Sequence, residues 1–188
     1  RKARAALGFP IEVVAGREEA RLIYLGVSHS LPATREKRLV VDIGGGSTEC
    51  IIGTGYKPLK LESLFMGCVS YSLRYFRDGR ITKSAFKDAE LAARAELQPI
   101  VGSYTRGNWQ HAVGSSGTIR ALAEILELSG FTDGPLTLSG LDRLRSQLIK
   151  AGDIAHVELP GLRADRRPVL AGGMAILYAV LDELNIAT

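Results

Sequence analysis

The chain has 188 residues, 46% of them hydrophobic and 23% charged, and carries a formal net charge of +4. This length suits one domain with a substantial core. Two cysteines are too few for a disulfide framework, no apolar run approaches the roughly 18 residues of a membrane span, and no basic patch interleaved with aromatic residues favours sequence-specific nucleic-acid binding. We therefore expect a cytoplasmic protein with no membrane segment and no specific nucleic-acid partner.

The first predicted elements are a short strand, Ile11 to Val14, and a helix that starts at Arg17. The helix has an apolar stripe at Ala20, Ile23, Tyr24 and Val27. Glu18 and Glu19 lie in its first turn, where the helix dipole favours carboxylates in any helix. The position also suits a general base, because a carboxylate there can be aimed at an attacking water. Both interpretations stay open on the residues alone.

A glycine-rich turn between two strands is the most informative stretch. The apolar run Leu39 to Ile43 predicts a buried strand, and three glycines follow it. Successive glycine N–H groups can form a nest for phosphate oxygens. Asp42 and Glu49 flank the turn, and their carboxylates would repel phosphate unless a divalent cation such as Mg²⁺ lay between the carboxylates and the phosphate. The predicted phosphate ligands are Gly44, Gly45, Gly46, Ser47 and Thr48.

The alternative for this stretch is a plain hairpin turn with two solvated acids. A Walker A loop is excluded because no lysine follows the glycines, and a Rossmann fingerprint because the next run, Cys50 to Ile52, is strand-like. Strands at Arg38 to Ile43, Thr48 to Gly53 and Leu59 to Phe65 have short connections and predict an antiparallel meander. A helix from Gly67 to about Phe76 and a turn at Asp78-Gly79 follow.

A second glycine-containing junction follows the next helix. That helix is capped by Thr82 and should kink or end at Pro99. A very short strand, Ala112 and Val113, then runs into a helix through Gly114-Ser115-Ser116-Gly117-Thr118. Free N–H groups at a helix start attract anions, so the candidate phosphate ligands here are Ser115, Ser116 and Gly117. A plain turn with a serine cap is the alternative.

The last third combines a capped helix, an arginine cluster and a glycine pair. After a loop from Phe131 to Leu138, Ser139 begins a helix with Asp142 as a variant capping box. Pro168 suits the first turn of the last helix. The arginines before it, which are either a solvated face or a phosphate clamp, are Arg163, Arg166 and Arg167, and Arg166 is the candidate phosphate ligand among them. Gly172-Gly173 disfavours a helix, so close packing against its backbone is expected.

Together these elements predict an α/β fold with a mixed sheet flanked by helices and a ligand at one sheet edge. The motifs resemble the exopolyphosphatase and guanosine pentaphosphate phosphohydrolase (Ppx/GppA) family. The stretches that carry the resemblance are Gly16 to Ile23, Asp42 to Glu49, Met66 to Val69, Gly114 to Ile119, Leu159 to Leu162 and Arg166 to Gly173.

The resemblance implies a ribonuclease-H-like lobe of the actin, sugar-kinase and Hsp70 superfamily. It implies that residues 1–188 form a single domain, the second of two lobes, without the first lobe and without a C-terminal closing segment. Carried over to this sequence, Glu19 is the catalytic glutamate, Glu18 its neighbour, and Asp42 and Glu49 the metal-associated acids. We expect the isolated chain to be inactive or nearly so, and the full-length protein to be a homodimer.

The implied activity is hydrolysis of terminal phosphoanhydride bonds in polyphosphate, in pppGpp, or in both, with Mg²⁺ as cofactor. The implied partners are polyphosphate and guanosine penta- or tetraphosphate. Two other hypotheses stay open: a non-catalytic sensor that binds ppGpp or polyphosphate, and a superfamily kinase that uses ATP. An actin-like filament or chaperone lobe fits less well, because no assembly surface is visible.

Overall fold

The computed structural model describes residues 2–10 and 12–186. Its four strands are β1 (Lys37–Ile43), β2 (Thr48–Thr54), β3 (Lys57–Leu64) and β4 (His111–Ser115). The sheet order is β3-β2-β1-β4; β1, β2 and β3 are antiparallel neighbours, and β4 runs parallel to β1. The predicted meander and mixed sheet are confirmed, and β4 is longer than the two residues predicted.

Helices cover both faces of the sheet. They are α1 (Lys2–Leu7), α2 (Gly16–Ser30), α3 (Cys68–Tyr75), α4 (Lys83–Leu97), α5 (Val101–Tyr104), α6 (Ser116–Leu128), α7 (Leu138–Ala151) and α8 (Leu170–Glu183). No helix among the described residues is long and apolar enough to cross a membrane.

Strand alternation sorts the apolar residues into two cores. On one face, Val40 and Ile51 pack against Ala20 and Tyr24 of α2. On the other face, the alternate strand residues join a larger core that includes α3, α4, α6, α7 and α8. Because successive strand side chains point to opposite faces, the same alternation decides which polar residues share a face at the strand ends.

The glycine pair in α8 allows close approach of α3 and α6. A Cβ at Gly172 would lie 2.6 Å from the Ser72 nitrogen and 2.7 Å from the Cys68 oxygen, and one at Gly173 would lie 2.5 Å from Thr118 Cγ2. The expected close packing is confirmed. It holds the starts of α3, α6 and α8 at one end of the sheet.

Three local predictions were wrong. Glu12 to Val14 form no strand, and Ile11 lies outside the described residues. Helix α7 begins before Ser139, because the side chain of Thr137 accepts a hydrogen bond from the Gly140 N–H at 3.0 Å and is the cap. Pro168 lies in a separate 3-10 turn, Arg167–Val169, ahead of α8. Helix α4 does end before Pro99.

Candidate functional site

A cavity of about 540 Å³ lies at the carboxyl ends of the parallel strands β1 and β4. Parallel strands next to one another commonly place a ligand at this end of an α/β sheet. The cavity is lined by Asp42, Ile43, Gly44, Gly45, Cys68, Val69, Ser116, Gly117, Thr118, Asp165, Arg166 and Val169. The fold thus brings three separately predicted stretches together: the glycine-rich turn, the start of α6 and one of the arginines.

The glycine-rich turn is clamped onto α3 through its carbonyl groups. The Gly44 oxygen accepts from the Cys68 N–H at 2.9 Å, and the Gly45 oxygen accepts from the Val69 N–H at 3.0 Å. Gly67 permits this approach, since a Cβ there would lie 2.4 Å from the Gly45 carbonyl carbon. The carbonyls are therefore committed to the α3 N-terminus.

The N–H groups of the turn are used differently. The Gly44 N–H donates to the Ser47 oxygen at 2.9 Å and closes the turn. Those of Gly45, Gly46 and Ser47 have no backbone acceptor within the described residues. Unused amides on a tight turn beside a cavity are suited to an anion.

A row of polar side chains, called the acid row below, crosses the whole sheet next to this turn. Asp42 pairs with Glu49 on β2 and with Ser115 on β4, and Glu49 pairs with Ser63 on β3. Directly paired residues project to the same face, and this row shares the face covered by α2. A serine stands at each end of the row: Ser63 donates to Glu49 Oε1 at 2.8 Å, and Ser115 lies beside Asp42 in the register and lowers its pKa.

The two carboxyls of the row are poorly solvated. Burial raises the pKa of Asp42, partly offset by the hydrogen bond from Ser115. Burial also raises the pKa of Glu49, which is only 1% exposed, while hydrogen bonds from Ser47 and Ser63 oppose the rise. The neighbouring charges of Glu19 and Asp42 raise the Glu49 pKa further. A cation would relieve this accumulation of negative charge.

Helix α2 brings Glu19 to the row. Its first residue, Gly16, lies against Ser63, where a Cβ would come within 2.6 Å of the hydroxyl oxygen. Glu19 is exposed in this first turn of α2, and its charge contributes to raising the pKa of Glu49. Glu18 instead forms an ion pair with Arg21 at 2.6 Å, and this hydrogen-bonded partner lowers the pKa of Glu18. The two adjacent glutamates therefore occupy different environments.

The second junction reaches the cavity through the first turn of α6. Ser116 and Gly117 line the cavity, whereas Ser115 does not and is instead the register partner of Asp42. Ser116 has a φ of 90°, which is unusual for a residue with a side chain, and its hydroxyl oxygen accepts from the Ile119 N–H at 3.3 Å. Helix α6 starts at Ser116, so the strand continues through Gly114 and Ser115.

Only Arg166 of the arginine cluster lines the cavity. Its guanidinium lies against Gly117, and its Nε is 3.5 Å from the Asp165 carboxylate. Arg163 pairs with Asp165 at 3.0 Å outside the cavity lining, and Arg167 donates to the Ala155 oxygen at 3.1 Å. A guanidinium at the cavity wall can bind phosphate oxygens bidentately.

Thr48 does not reach the cavity. It precedes Glu49 in β2 and so points to the opposite face, where it is fully buried and donates its hydroxyl to the Met66 oxygen at 2.6 Å. The predicted phosphate contact of this side chain is therefore corrected to a structural hydrogen bond that holds the chain leading into α3.

The chemistry of the acid row fits a hydrated Mg²⁺. No group of three or more His, Cys, Asp or Glu side chains that could enclose a metal occurs in residues 2–10 and 12–186. Mg²⁺ usually binds through one or two carboxylates plus waters and substrate phosphates, so a full protein cage is unnecessary. Asp42, which borders both the row and the cavity, and Glu49 are the residues that would hold it.

Sequence reasoning missed Ser63, Cys68, Val69 and Asp165. Cys68 and Val69 belong to a stretch that resembles the family and to the start of a predicted helix, but their contact with the turn depends on the tertiary fold. Ser63 could have been found by extending the meander register one strand beyond Glu49. Asp165 carried a signal as the one acid among the neighbouring arginines.

Comparisons with known proteins agree with this geometry. The structure of the Aquifex aeolicus Ppx/GppA phosphatase in its type II variant has a TM-score of 0.74 at 25% identity, covering 98% of this chain and 62% of that one. An exopolyphosphatase from Cytophaga hutchinsonii has a TM-score of 0.78 at 24% identity, covering 97% and 61%. An exopolyphosphatase-like protein reaches 0.81 at 23% identity, covering 97% and 61%.

These solved structures confirm the predicted fold class, an α/β lobe of the actin and Hsp70 superfamily type. The chain spans about three fifths of the length of the proteins it matches. The profile of the Ppx/GppA phosphatase family matches residues 1–188. The start of α2 with Glu18 and Glu19, the glycine-rich turn and the second glycine junction lie at one end of the sheet, and the chain belongs to the Ppx/GppA phosphatase family.

Proposed function

We propose that the full-length protein hydrolyses terminal phosphoanhydride bonds of linear polyphosphate, of pppGpp, or of both, and that this chain is its second lobe. The observation that carries the proposal is that Asp42, a member of the acid row, lies on the wall of a cavity that is also lined by Arg166 and by Gly45, whose N–H has no backbone acceptor within the described residues. Phosphoryl transfer to water needs positioned charge more than covalent chemistry, and this arrangement supplies both signs of charge in adjacent places.

In the proposed reaction, a water oxygen attacks the terminal phosphorus, and the bond from that phosphorus to the bridging oxygen breaks. Orthophosphate leaves, and the substrate is shortened by one phosphate. Loop amides from Gly45 to Ser47, together with Arg166, bind the phosphate oxygens. A bound Mg²⁺ supplies neutralisation of charge on the phosphate oxygens.

Glu19 is the proposed residue that orients the water and takes its proton. Its position near Glu49, at the start of a helix anchored on Ser63, supports this role. Glu18 is less suited, because Arg21 already occupies its carboxylate and lowers its pKa, which makes it a weaker base. The remaining length of the related proteins would supply further phosphate contacts from the other lobe, and we expect the isolated chain to have little or no activity.

The decisive experiment measures orthophosphate release by the full-length protein with Mg²⁺ and with long-chain polyphosphate or pppGpp in parallel. Release from either substrate supports the hydrolase, and the ratio of the two kcat/KM values identifies the preferred one. Tight binding of ppGpp or polyphosphate without release would favour the sensor. ATP-dependent phosphorylation of a small acceptor would favour the kinase.

A further inference from the structure

Ser63 occupies a position between two parts of the acid site. It lies opposite Glu49 in the β2–β3 register and donates its hydroxyl to Glu49 Oε1 at 2.8 Å. On its other side it contacts Gly16, the first residue of α2; a Cβ at Gly16 would lie 2.6 Å from Ser63 Oγ and 2.8 Å from Ser63 Cβ. One small side chain thus touches both the strand that carries Glu49 and the helix that carries Glu19.

Both contacts limit what the residue at position 63 can be. The Glu49 carboxylate is 1% exposed, so bulk water cannot readily replace a lost hydrogen-bond donor. The contact with Gly16 leaves no room for a larger group without moving the start of α2. Serine, the smallest residue that carries a hydroxyl group, satisfies both conditions.

We propose that Ser63 is a positioning residue: its hydroxyl fixes the Glu49 carboxylate for metal binding, and its small size sets the distance between α2 and the acid row. The inference rests on the proposed function, in which Glu49 holds Mg²⁺ and Glu19 orients water. Ser63 itself touches neither substrate nor reacting atoms. It acts through Glu49, as residues that hydrogen-bond to metal ligands commonly do.

The test uses the full-length protein and the Ser63→Ala variant, which keeps the packing and removes the hydroxyl. Loss of a residue that orients a metal ligand typically weakens metal affinity by about 10- to 100-fold. We expect Mg²⁺ affinity, measured by calorimetry without substrate, to fall at least about tenfold. We expect kcat at saturating Mg²⁺ to fall less, and the KM for polyphosphate to stay within about twofold, because the loop amides and Arg166 are not touched.

Ser84→Ala is the matched control. It removes a hydroxyl that lies 3.5 Å from the Asp88 carboxylate on the exposed side of α4, outside the acid row. Mg²⁺ affinity and turnover of this variant should equal those of the wild type. The same change from serine to alanine is thereby compared at a carboxylate with no proposed metal role.

A double-mutant cycle with Glu49→Gln separates positioning from a general structural effect. If Ser63 acts through Glu49, Ser63→Ala has little further effect on Mg²⁺ affinity once Glu49 is Gln. Equal weakening in both backgrounds, or wild-type Mg²⁺ affinity in Ser63→Ala, would overturn the inference. Wild-type protein that binds Mg²⁺ but releases no phosphate would reject the proposed hydrolase while the calorimetric cycle still decides the role of Ser63. Absence of Mg²⁺ binding by the wild type would also overturn the inference about Ser63.

Discussion

The Arg166 guanidinium lies against Gly117 at the first turn of α6, so closely that a Cβ on Gly117 would come within 2.8 Å of Nη2. The atom that would collide is the end of a flexible side chain. A methyl group at position 117 should therefore move Arg166 without disturbing the backbone.

Gly117→Ala should raise the KM for polyphosphate about tenfold, the scale of one lost charge-assisted hydrogen bond, and leave the Tm nearly unchanged. Steady-state phosphate release and thermal unfolding of the full-length protein check the two parts separately. Gly134→Ala is the control, because a Cβ there meets nothing within 4 Å. A large fall in Tm with unchanged KM would contradict the proposed contact.

Gly172→Ala should have the opposite effect to Gly117→Ala, lowering the stability of the fold and leaving the KM for polyphosphate nearly unchanged. The added Cβ would meet backbone atoms of α3, the Ser72 nitrogen and the Cys68 oxygen, which cannot rotate away. Overpacking of this kind typically costs about 1–3 kcal/mol, so the urea midpoint should fall clearly. Gly26→Ala, in an open position of α2, should instead stabilise the fold by up to about 1 kcal/mol. Equal midpoints for the two variants would argue against close packing of α3 on α8.

Glu19→Gln should lower turnover by about 100-fold, the lower end of what general-base catalysis supplies, with little change in KM. Glu18→Gln is the matched neighbour and should stay within a few-fold of the wild type, because that carboxylate is paired with Arg21 on the helix surface. The measurement is the initial rate of phosphate release at saturating substrate and Mg²⁺. If Glu18→Gln lowered turnover more than Glu19→Gln did, the proposed base would be Glu18 instead.

Thr48→Val should affect stability and not substrate binding. Valine preserves the shape of the buried side chain but removes the hydroxyl that donates to the Met66 oxygen. Leaving that buried acceptor without a donor should cost about 1–3 kcal/mol in the free energy of unfolding. Denaturant unfolding and KM for polyphosphate would be compared with the wild type; a marked rise in KM without destabilisation would return Thr48 to the phosphate ligands.

Stabilisation by Mg²⁺ should depend on pH. The pKa values of Asp42 and Glu49 are raised in the fold, so without metal these carboxyls favour the folded state at acid pH and lose that contribution as pH rises through their folded pKa values. Mg²⁺ binds the deprotonated carboxylates. The Tm increase caused by Mg²⁺ should therefore grow from about pH 4 to about pH 7. An Asp42→Asn, Glu49→Gln variant should show no such growth, and an increase that is equal at both pH values in the wild type would contradict the assignment.

Much of the scaffold was predictable because local rules and tertiary structure agree there. Short connections after Ile43 and Thr54 required antiparallel neighbours, and Gly172-Gly173 was too unfavourable in a helix to lack a packing reason. The strand predicted from Ile11 to Val14 was wrong over its described residues, Glu12 to Val14, because a short run does not form a strand without a partner in the described sheet.

The site was harder to predict than the scaffold. Placing Thr48 among the phosphate ligands overlooked strand alternation, since its neighbour Glu49 already pointed toward the acids. The selection of Arg166 over Arg163 and Arg167 depends on how the turn before α8 meets α6, which no local pattern specifies. The contact of Ser63 with Gly16 likewise joins residues 47 positions apart.

The acid row contains one residue from each strand of the sheet: Ser63, Glu49, Asp42 and Ser115. A shift of any strand by one residue would turn its member of the row toward the opposite face. Misfolded or partly paired chains would then carry every residue of the site without assembling it. Under the proposed function, phosphate release per molecule of the full-length protein would therefore report strand alignment, in refolding experiments and in redesign of this sheet.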